Sequence, residues 1–322
     1  MSLESDLLVD RRRLRRRLSL WRFIAFATVA IALVAVVAAT LGADFLKAQT
    51  RHIARIKIEG FIGDQTENAK LIADIERSNA VAVIVVIDSP GGSTSGGEAL
   101  YANLLQLSKV KPTVAQIDGL GASAAYMAAI ATNHIVARRT ALVGSIGVLI
   151  QFPNVAGLMN LVGVKLEEVK SSPLKAAPNG FEPSSPEALA ALAAVVNDTY
   201  AWFKAIVKER RRLEDGPLAT VTDGRIFTGQ QALDLGLIDQ IGSEAEALAY
   251  LKASHNIDPA TPIRDWSVPR DLGNLGLMHM LAAGTLEALG APQLAEALRS
   301  GEAARAGALD GLVSVWHPRI EN

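Results

Sequence analysis

A serine at position 123 stands among residues with almost no side chain, in the stretch Gly121-Ala122-Ser123-Ala124-Ala125. The apolar residues after it predict a helix, and residues 112–117 predict a short buried strand that ends in a turn at 118–121. A serine between a strand and a helix, with small neighbours, is open to a substrate and could act as a nucleophile. The alternative is that Ser123 only caps the helix, which is the commoner role of such a serine.

A serine nucleophile needs a base, and both histidine and lysine can serve. No histidine lies in a glycine-rich loop or beside a promising carboxylate, so we interpret all five as structural or surface residues: His52, His134, His255, His279 and His317. Lysines occur at both 170 and 175, and Lys175 stands among small and apolar residues. Burial favours the neutral form of a lysine, so Lys175 could act as a base if the fold buries it.

A glycine-rich stretch, residues 88–97, follows the run Val81–Ile87. That run is continuously apolar and β-branched, which predicts a strand buried on both faces. The glycines do not form a nucleotide site, because no Lys-Ser/Thr pair closes the loop and the dinucleotide spacing is absent. Gly91 and Gly92 could bring backbone N–H groups close to a substrate carbonyl, as an oxyanion hole requires. A purely structural turn is the alternative.

The composition limits the class of protein. The 322 residues are 50% hydrophobic, which is enough for a full core and one large domain with appendages. The absence of cysteine excludes thiol catalysis, disulfides and cysteine-based metal sites. Residues 1–22 carry a charge of +4, so the other 300 residues carry −5, which argues against nucleic acid as a partner of the main body. Strands and helices alternate to about residue 166, which predicts an α/β domain.

Near the N-terminus, an arginine cluster at 11–17 precedes an uncharged apolar segment from Phe23 to Ala43. At the helical rise, this segment spans about 30 Å, the thickness of the hydrocarbon core of a bilayer. A signal peptide is the alternative, but the segment is longer than the roughly 7–15 apolar residues of a signal, and no clean cleavage site precedes Asp44. We therefore expect a cytoplasmic basic N-terminus at 1–22, a transmembrane anchor at 23–43 and a body on the far side of the membrane.

Five motifs, in this order, make the chain resemble the signal peptide peptidase A family, also called protease IV. They are Asp88-Ser89-Pro90-Gly91-Gly92, Gly121-Ala122-Ser123, Gly144-Ser145-Ile146-Gly147-Val148, the segment from Lys170 to Lys175, and Asp223-Gly224-Arg225-Ile226-Phe227-Thr228-Gly229-Gln230-Gln231-Ala232. The resemblance covers about residues 52–254. It implies an α/β fold of the Clp protease and crotonase type, here with an N-terminal transmembrane helix, and a serine-lysine dyad that needs no metal or other cofactor.

The resemblance also implies a role for each site residue. Ser123 is the nucleophile, Lys175 the general base, and Ser145 the residue that orients the lysine. The backbone N–H groups of Gly92 and Ala124 form the oxyanion hole. Many family members have glycine after the serine where this chain has alanine, and we expect the alanine to narrow the nearby subsite. Although Asp223 and Arg225 belong to a motif, we interpret them as a structural pair.

The resulting functional hypothesis is a membrane-anchored serine endopeptidase that degrades cleaved signal peptides. Its catalytic domain, residues 44–261, is expected on the periplasmic side of a bacterial inner membrane. The resemblance to family members of this length implies a homo-oligomeric ring. In such a ring, neighbouring subunits supply the serine and the lysine of each active site. Residues 262–322 are expected to form a helical extension that covers an interface or lies against the bilayer. The alternative is a member of the same fold that has lost peptidase activity and acts as a membrane-bound assembly or binding protein.

Overall fold

The computed structural model describes residues 20–24, 26–28, 50–268 and 313–315. The chain divides into two compact units, Met1–Arg51 and His52–Asn322. In the first unit, residues 20–24 and 26–28 are helical, and most of the apolar segment 23–43 lies outside the described residues. Within the described part of the chain, no helix has both the length and the apolar character needed to cross a bilayer. The transmembrane anchor therefore stays a prediction.

The described part of the second unit contains nine strands and eight helices. The strands are β1 (His52–Ile62), β2 (Ala80–Ser93), β3 (Thr113–Ala122), β4 (His134–Ala137), β5 (Leu142–Gly144), β6 (Ile226–Thr228), β7 (Gln240–Ile241), β8 (Ile263–Trp266) and β9 (Val313–Val315). The helices are α1 (Thr66–Arg77), α2 (Thr94–Val110), α3 (Ala124–Ile130), α4 (Ala156–Leu161), α5 (Pro186–Arg211), α6 (Asp215–Val221), α7 (Gly229–Asp234) and α8 (Glu244–His255).

The nine described strands form one sheet, whose main path runs β6-β5-β3-β2-β1-β8. Off this path, β4 pairs with β3 and β7, and β9 pairs with β2. The pairs are parallel except for β2 with β9 and β5 with β6. Parallel strands joined by helices confirm the predicted α/β class. Since β8 pairs with β1, the sheet continues past the boundary that we expected at residue 261.

Helices cover both faces of the sheet, as the apolar sequence of β2 predicts. Val83, Val85 and Ile87 belong to the larger core, which also contains buried residues of α1, α2, α3 and α5. Ile84 belongs to a second core, where Leu251 of α8 is fully buried. Successive side chains of a strand point to opposite faces, so one strand supplies both cores. This double burial holds the carboxyl ends of β2 and β3 in fixed positions.

One local prediction is wrong. Residues 118–121, expected to form a turn, instead continue β3 in an extended conformation. The register between β2 and β3 shifts between Ile87 and Ser89, after which Gly121 pairs with Ser89 on one side and Val143 of β5 on the other. The glycines indicated a turn, but a second partner strand keeps the chain extended up to Ser123.

Candidate active site

Ser123 joins β3 to α3 in a strained backbone conformation. Its φ of 59° and ψ of −120° lie in a region that residues with a side chain rarely occupy, at a cost of about 1–3 kcal/mol. The N–H of Ser123 donates a hydrogen bond to the carbonyl of Gly144 at 2.8 Å. Its carbonyl accepts from the N–H groups of Tyr126 and Met127 at 2.9 and 3.0 Å. These bonds fix the strained turn on both sides.

The hydroxyl of Ser123 does not cap α3, although the residue occupies the N-cap position. Ser93 and Ser185 do cap their helices, each accepting a backbone N–H at 3.1 Å. The capping alternative for Ser123 is therefore wrong. Ser123 is also only 1% exposed. Helix initiation therefore does not explain its strained conformation or its burial.

Helix α3 is short and completely buried, and α2 packs closely against its first turn. A Cβ atom on Gly97 would lie 2.8 Å from the Cβ of Ala124 and 2.9 Å from the Sδ of Met127. Only glycine at position 97 permits this approach. Because α2 follows β2 directly and α3 follows β3, the close packing brings the two predicted oxyanion segments, at Gly92 and Ala124, to the same edge of the sheet.

The segment that contains Gly91 and Gly92 is tied to β1. The Ser89 hydroxyl donates to the carbonyl of Gly60 at 2.6 Å and accepts from the N–H of Gly91 at 3.1 Å. Gly91 has a φ of 104°, and a Cβ atom on Gly92 would lie 1.9 Å from the carbonyl oxygen of Ile62. Both glycines are thus required by the backbone geometry. The part that the Gly92 N–H plays in stabilising an oxyanion stays a prediction.

Ser145 lies next to the residue that holds Ser123 in place. It follows Gly144, whose carbonyl accepts the N–H of Ser123, and its own N–H donates to the carbonyl of Arg225 at 2.8 Å. Ser145 has a φ of 51°, so this turn is strained as well. The residue is 9% exposed. Ser123 therefore donates this backbone hydrogen bond, and Ser145 directly follows the residue that accepts it.

Asp223 and Arg225 form the structural pair that we expected. The Arg225 Nε donates to Asp223 Oδ2 at 2.7 Å, and its backbone N–H donates to Asp223 Oδ1 at 3.1 Å. These hydrogen bonds from Arg225 lower the pKa of the Asp223 carboxyl. The pair closes a tight turn, and the carbonyl of Arg225 in that turn supports Ser145.

Lys175 is exposed in the single chain, whereas the sequence analysis required a buried lysine. Its backbone N–H donates to the carbonyl of Ser172 at 3.1 Å within a turn. Residues 161–169 before it are exposed as well. The role of Lys175 as the base of Ser123 stays a prediction.

Lys170, the other lysine of this segment, is held by two carboxylates. It forms ion pairs with Glu168 and Glu182, and its Nζ lies 3.0 Å from the Glu182 Oε1. The hydrogen bonds to Glu168 and Glu182 raise the pKa of the Lys170 ammonium. Lys170 therefore belongs to an ion-pair cluster with these two carboxylates.

His134 lies at the wrong end of the sheet to serve Ser123. It is the first residue of β4 and pairs in parallel with Val114 of β3, nine positions before the serine. At the rise of a strand, that separation is about 30 Å. The ring of His134 stacks on Tyr250 with centroids 3.9 Å apart, and His255 contacts the same tyrosine at 5.6 Å. These two histidines are structural, as predicted.

His52 is also structural. It is fully buried at the start of β1, stacks on Trp266 at 5.8 Å, and accepts the indole N–H at 3.0 Å. His279 and His317 lie outside the described residues.

Sequence reasoning missed Arg210, which anchors the far end of α3. Its Nε donates to the carbonyl of Ile130 at 2.7 Å, and its Nη2 donates to the carbonyl of Thr132 at 2.8 Å. The last carbonyls of a helix have no partner within the helix, so these bonds satisfy groups that would otherwise be unpaired. The only signal in the sequence is a run of three arginines at 210–212, which resembles an ordinary basic helix end.

Tyr126 anchors the first turn of α3. Its hydroxyl donates to the carbonyl of Leu237 at 2.8 Å, and full burial raises the pKa of its phenol. The helix that follows Ser123 is thus fixed to two distant parts of the chain, which keeps the serine in one position.

Comparison with known proteins gives matches to one peptidase family and to several proteins named as proteases. Residues 105–258 match the model of peptidase family S49. A putative protease of Methanocaldococcus jannaschii is 32% identical over 237 residues, covering 72% of this chain and 76% of that protein. A putative protease of Synechocystis is 35% identical over 217 residues, covering 67% and 78%. A putative signal peptide peptidase SppA of Enterococcus faecium is 27% identical over 231 residues, covering 67% of each chain.

A strained serine at the carboxyl end of a strand in a mixed α/β sheet is the geometry of a serine hydrolase. With the matches above, the chain belongs to peptidase family S49, the signal peptide peptidase A family, and is a serine peptidase. The family resemblance drawn from its five motifs is thus confirmed.

We expect Ser145→Ala to lower kcat for peptide hydrolysis by roughly ten- to a hundredfold, the scale of a supporting contact rather than of a missing base. The measurement is kcat and KM with an apolar fluorogenic peptide. Ser108→Ala is the matched control, because its hydroxyl only donates to the Leu105 carbonyl near the end of α2, at 2.8 Å. If Ser145→Ala is as inactive as Lys175→Ala, the orienting role is wrong.

Proposed function

We propose that this chain is a membrane-anchored serine endopeptidase that degrades cleaved signal peptides with a serine-lysine dyad. The observation that carries the proposal is Ser123, which is buried and strained although its hydroxyl does not cap the helix. Strain of this kind is concentrated at functional sites, where surrounding structure holds it. The substrate class is supported by the Enterococcus faecium relative, named a putative signal peptide peptidase, and by the apolar segment 23–43.

In the proposed reaction, the neutral amine of Lys175 takes the hydroxyl proton of Ser123 as the Oγ attacks a peptide carbonyl. The carbonyl oxygen becomes an oxyanion that accepts hydrogen bonds from the N–H groups of Gly92 and Ala124. The lysine returns the proton to the leaving amine, and water then hydrolyses the acyl-enzyme by the same steps in reverse. The Ser145 hydroxyl orients the amine throughout.

The exposure of Lys175 supports a site shared between two copies of the chain, within a homo-oligomeric ring. The segment around it also exposes many large apolar side chains: Leu158, Leu161, Val162, Val164, Leu166, Val169 and Leu174. Monomeric proteins seldom expose a contiguous apolar area of this kind, whereas interfaces do. A neighbouring copy that covers the segment would also desolvate the amine of Lys175, which favours its neutral form.

The proposed activity is tested with the full-length protein in detergent and an apolar peptide, with products identified by mass spectrometry. Internal cleavage by the wild type, absent in Ser123→Ala and retained in Ser108→Ala, is the expected result. If the wild type binds the peptide without cleaving it, the alternative of an inactive binding protein gains support instead.

The proposed location is a bacterial inner membrane, with residues 1–22 in the cytoplasm and the body outside it. The positive-inside rule is the physical basis, since seven arginines precede the apolar segment. Protease added to intact spheroplasts should therefore digest the body, while an epitope tag at the N-terminus survives on a short fragment. A cytoplasmic marker protein controls for lysis. Complete protection of the body contradicts this orientation.

A further inference from the structure

Four side chains close the loop that carries Lys175. Lys170 stands at the start of this loop and Glu182 at its end, and the Lys170 Nζ lies 3.0 Å from the Glu182 Oε1. The Nδ2 of Asn179 donates to the same Oε1 at 3.2 Å and to the Glu168 Oε1 at 3.3 Å. Lys170 also forms an ion pair with Glu168. We call Glu168, Lys170, Asn179 and Glu182 the neck cluster, because they join the two ends of the loop.

The end of the loop is also bound to the segment that precedes α4. The N–H of Val155 donates to the carbonyl of Gly180 at 2.7 Å, and the Nδ2 of Asn154 donates to the carbonyl of Glu182 at 3.2 Å. Gly180 has a φ of 78°, and a Cβ atom there would lie 2.3 Å from the carbonyl oxygen of Pro153. The glycine thus lets the end of the loop lie against this segment, and the neck cluster joins the start of the loop to it.

Lys175 lies near the middle of the loop, five positions after Lys170. The backbone hydrogen bonds of its turn are local: the Lys175 N–H donates to Ser172 at 3.1 Å, and the Ala177 N–H donates to Leu174 at 3.3 Å. Such bonds shape the tip of the loop but do not fix its direction relative to the rest of the chain. The neck sets that direction, because a loop whose ends are joined samples fewer orientations than one whose ends are free.

Lys170 is the cation of the neck cluster and faces two carboxylates. Its side chain is more buried than that of either Glu168 or Glu182. Since the hydrogen bonds to these carboxylates raise the pKa of the Lys170 ammonium, its charge is present at neutral pH. Without this charge, the two carboxylates, which share Asn179 as a donor, would repel each other across the neck. A single exposed ion pair contributes little to stability, but several charges in one network contribute more.

We propose that Lys170 is a positioning residue, which holds the neck closed so that the loop presents Lys175 to Ser123 in one orientation. The catalytic part of this inference rests on the proposed function; the closing of the neck does not. Lys170 itself transfers no proton, because its two carboxylates keep it charged. It acts through the orientation of Lys175.

The first test is Lys170→Met in the full-length protein, which keeps most of the side-chain length and removes the charge. The kcat for an apolar peptide should fall about tenfold, at the lower end of the effect of a supporting contact, with KM within about twofold of wild type. Lys170→Arg should retain kcat within about threefold, because a guanidinium can donate to both carboxylates. Lys165→Met, in the exposed stretch before the loop, is the matched control and should behave as wild type. An unchanged kcat in Lys170→Met, or an equal loss in Lys170→Arg, overturns the positioning role.

The second test needs no catalysis and is carried out in a Ser123→Ala background. Hydrogen–deuterium exchange measures the protection of two backbone amides at the end of the loop. The Val155 amide donates to the carbonyl of Gly180, and the Phe181 amide donates to the Oδ1 of Asn179 at 3.0 Å. Both amides therefore report whether the neck is closed.

Both amides should exchange about three- to tenfold faster in Lys170→Met than in Lys165→Met, since an open neck no longer holds Asn179 and Gly180 in place. Equal exchange rates overturn the closing of the neck even if the protein hydrolyses peptides normally. Faster exchange in a protein whose wild type cleaves no peptide supports the closing of the neck. That result refutes the peptidase and, with it, the catalytic part of the inference.

Discussion

Ser123→Ala and Lys175→Ala should each reduce peptide hydrolysis by roughly 10⁴- to 10⁶-fold while the fold stays intact. A nucleophile and its base act as a unit, so the loss of either removes the same step. The double variant should consequently be no worse than the poorer single variant. The measurement is kcat/KM with an apolar peptide, with circular dichroism spectra to establish that each variant is folded.

Lys165→Ala is the matched control for Lys175→Ala. Lys165 lies in the same exposed segment and has the same side chain, so it reports any general effect of removing a positive charge there. We expect this control to retain wild-type activity. Near-wild-type turnover of either Ser123→Ala or Lys175→Ala contradicts the dyad.

Mixing the two inactive variants should restore activity if neighbouring chains share the site. A Lys175→Ala chain still carries Ser123, and a Ser123→Ala neighbour still carries Lys175. With random assembly of equal amounts, about one site in four combines both intact residues, so about a quarter of the wild-type rate should return. Relative to either variant alone, this is a gain of several orders of magnitude.

The mixing experiment requires subunit exchange, which is achieved by unfolding and refolding the two proteins together. Different affinity tags on the two variants identify mixed assemblies. Mixed assemblies without recovered activity mean that both residues of a site belong to the same chain.

Much of the architecture could be predicted because the signal is local. The continuous apolar run at Val81–Ile87 predicts a strand buried on both faces, and the core contains it as such. Ser185 and Pro186 predict the start of a helix, and α5 begins there with the serine as its cap. The order of the five motifs was sufficient to predict the family. In each case, neighbouring residues carry the information.

The strain at Ser123 and the exposure of Lys175 were decided by the tertiary structure. Whether Ser123 caps a helix or presents its hydroxyl depends on the bond to Gly144, which belongs to a different strand. Whether Lys175 is buried depends on what packs over its segment, and local sequence does not encode that.

The sequence by itself determined the family, the α/β class and the candidate residues, because those follow from residue type, periodicity and motif order. The tertiary structure decided which contacts hold the candidate residues in position. Arg210 supports α3 from 80 positions away, β5 keeps β3 extended up to Ser123, and β9 reaches Gly92 from near the end of the chain. Such contacts join residues that are far apart in the sequence. The neighbours of each residue along the chain therefore do not predict them.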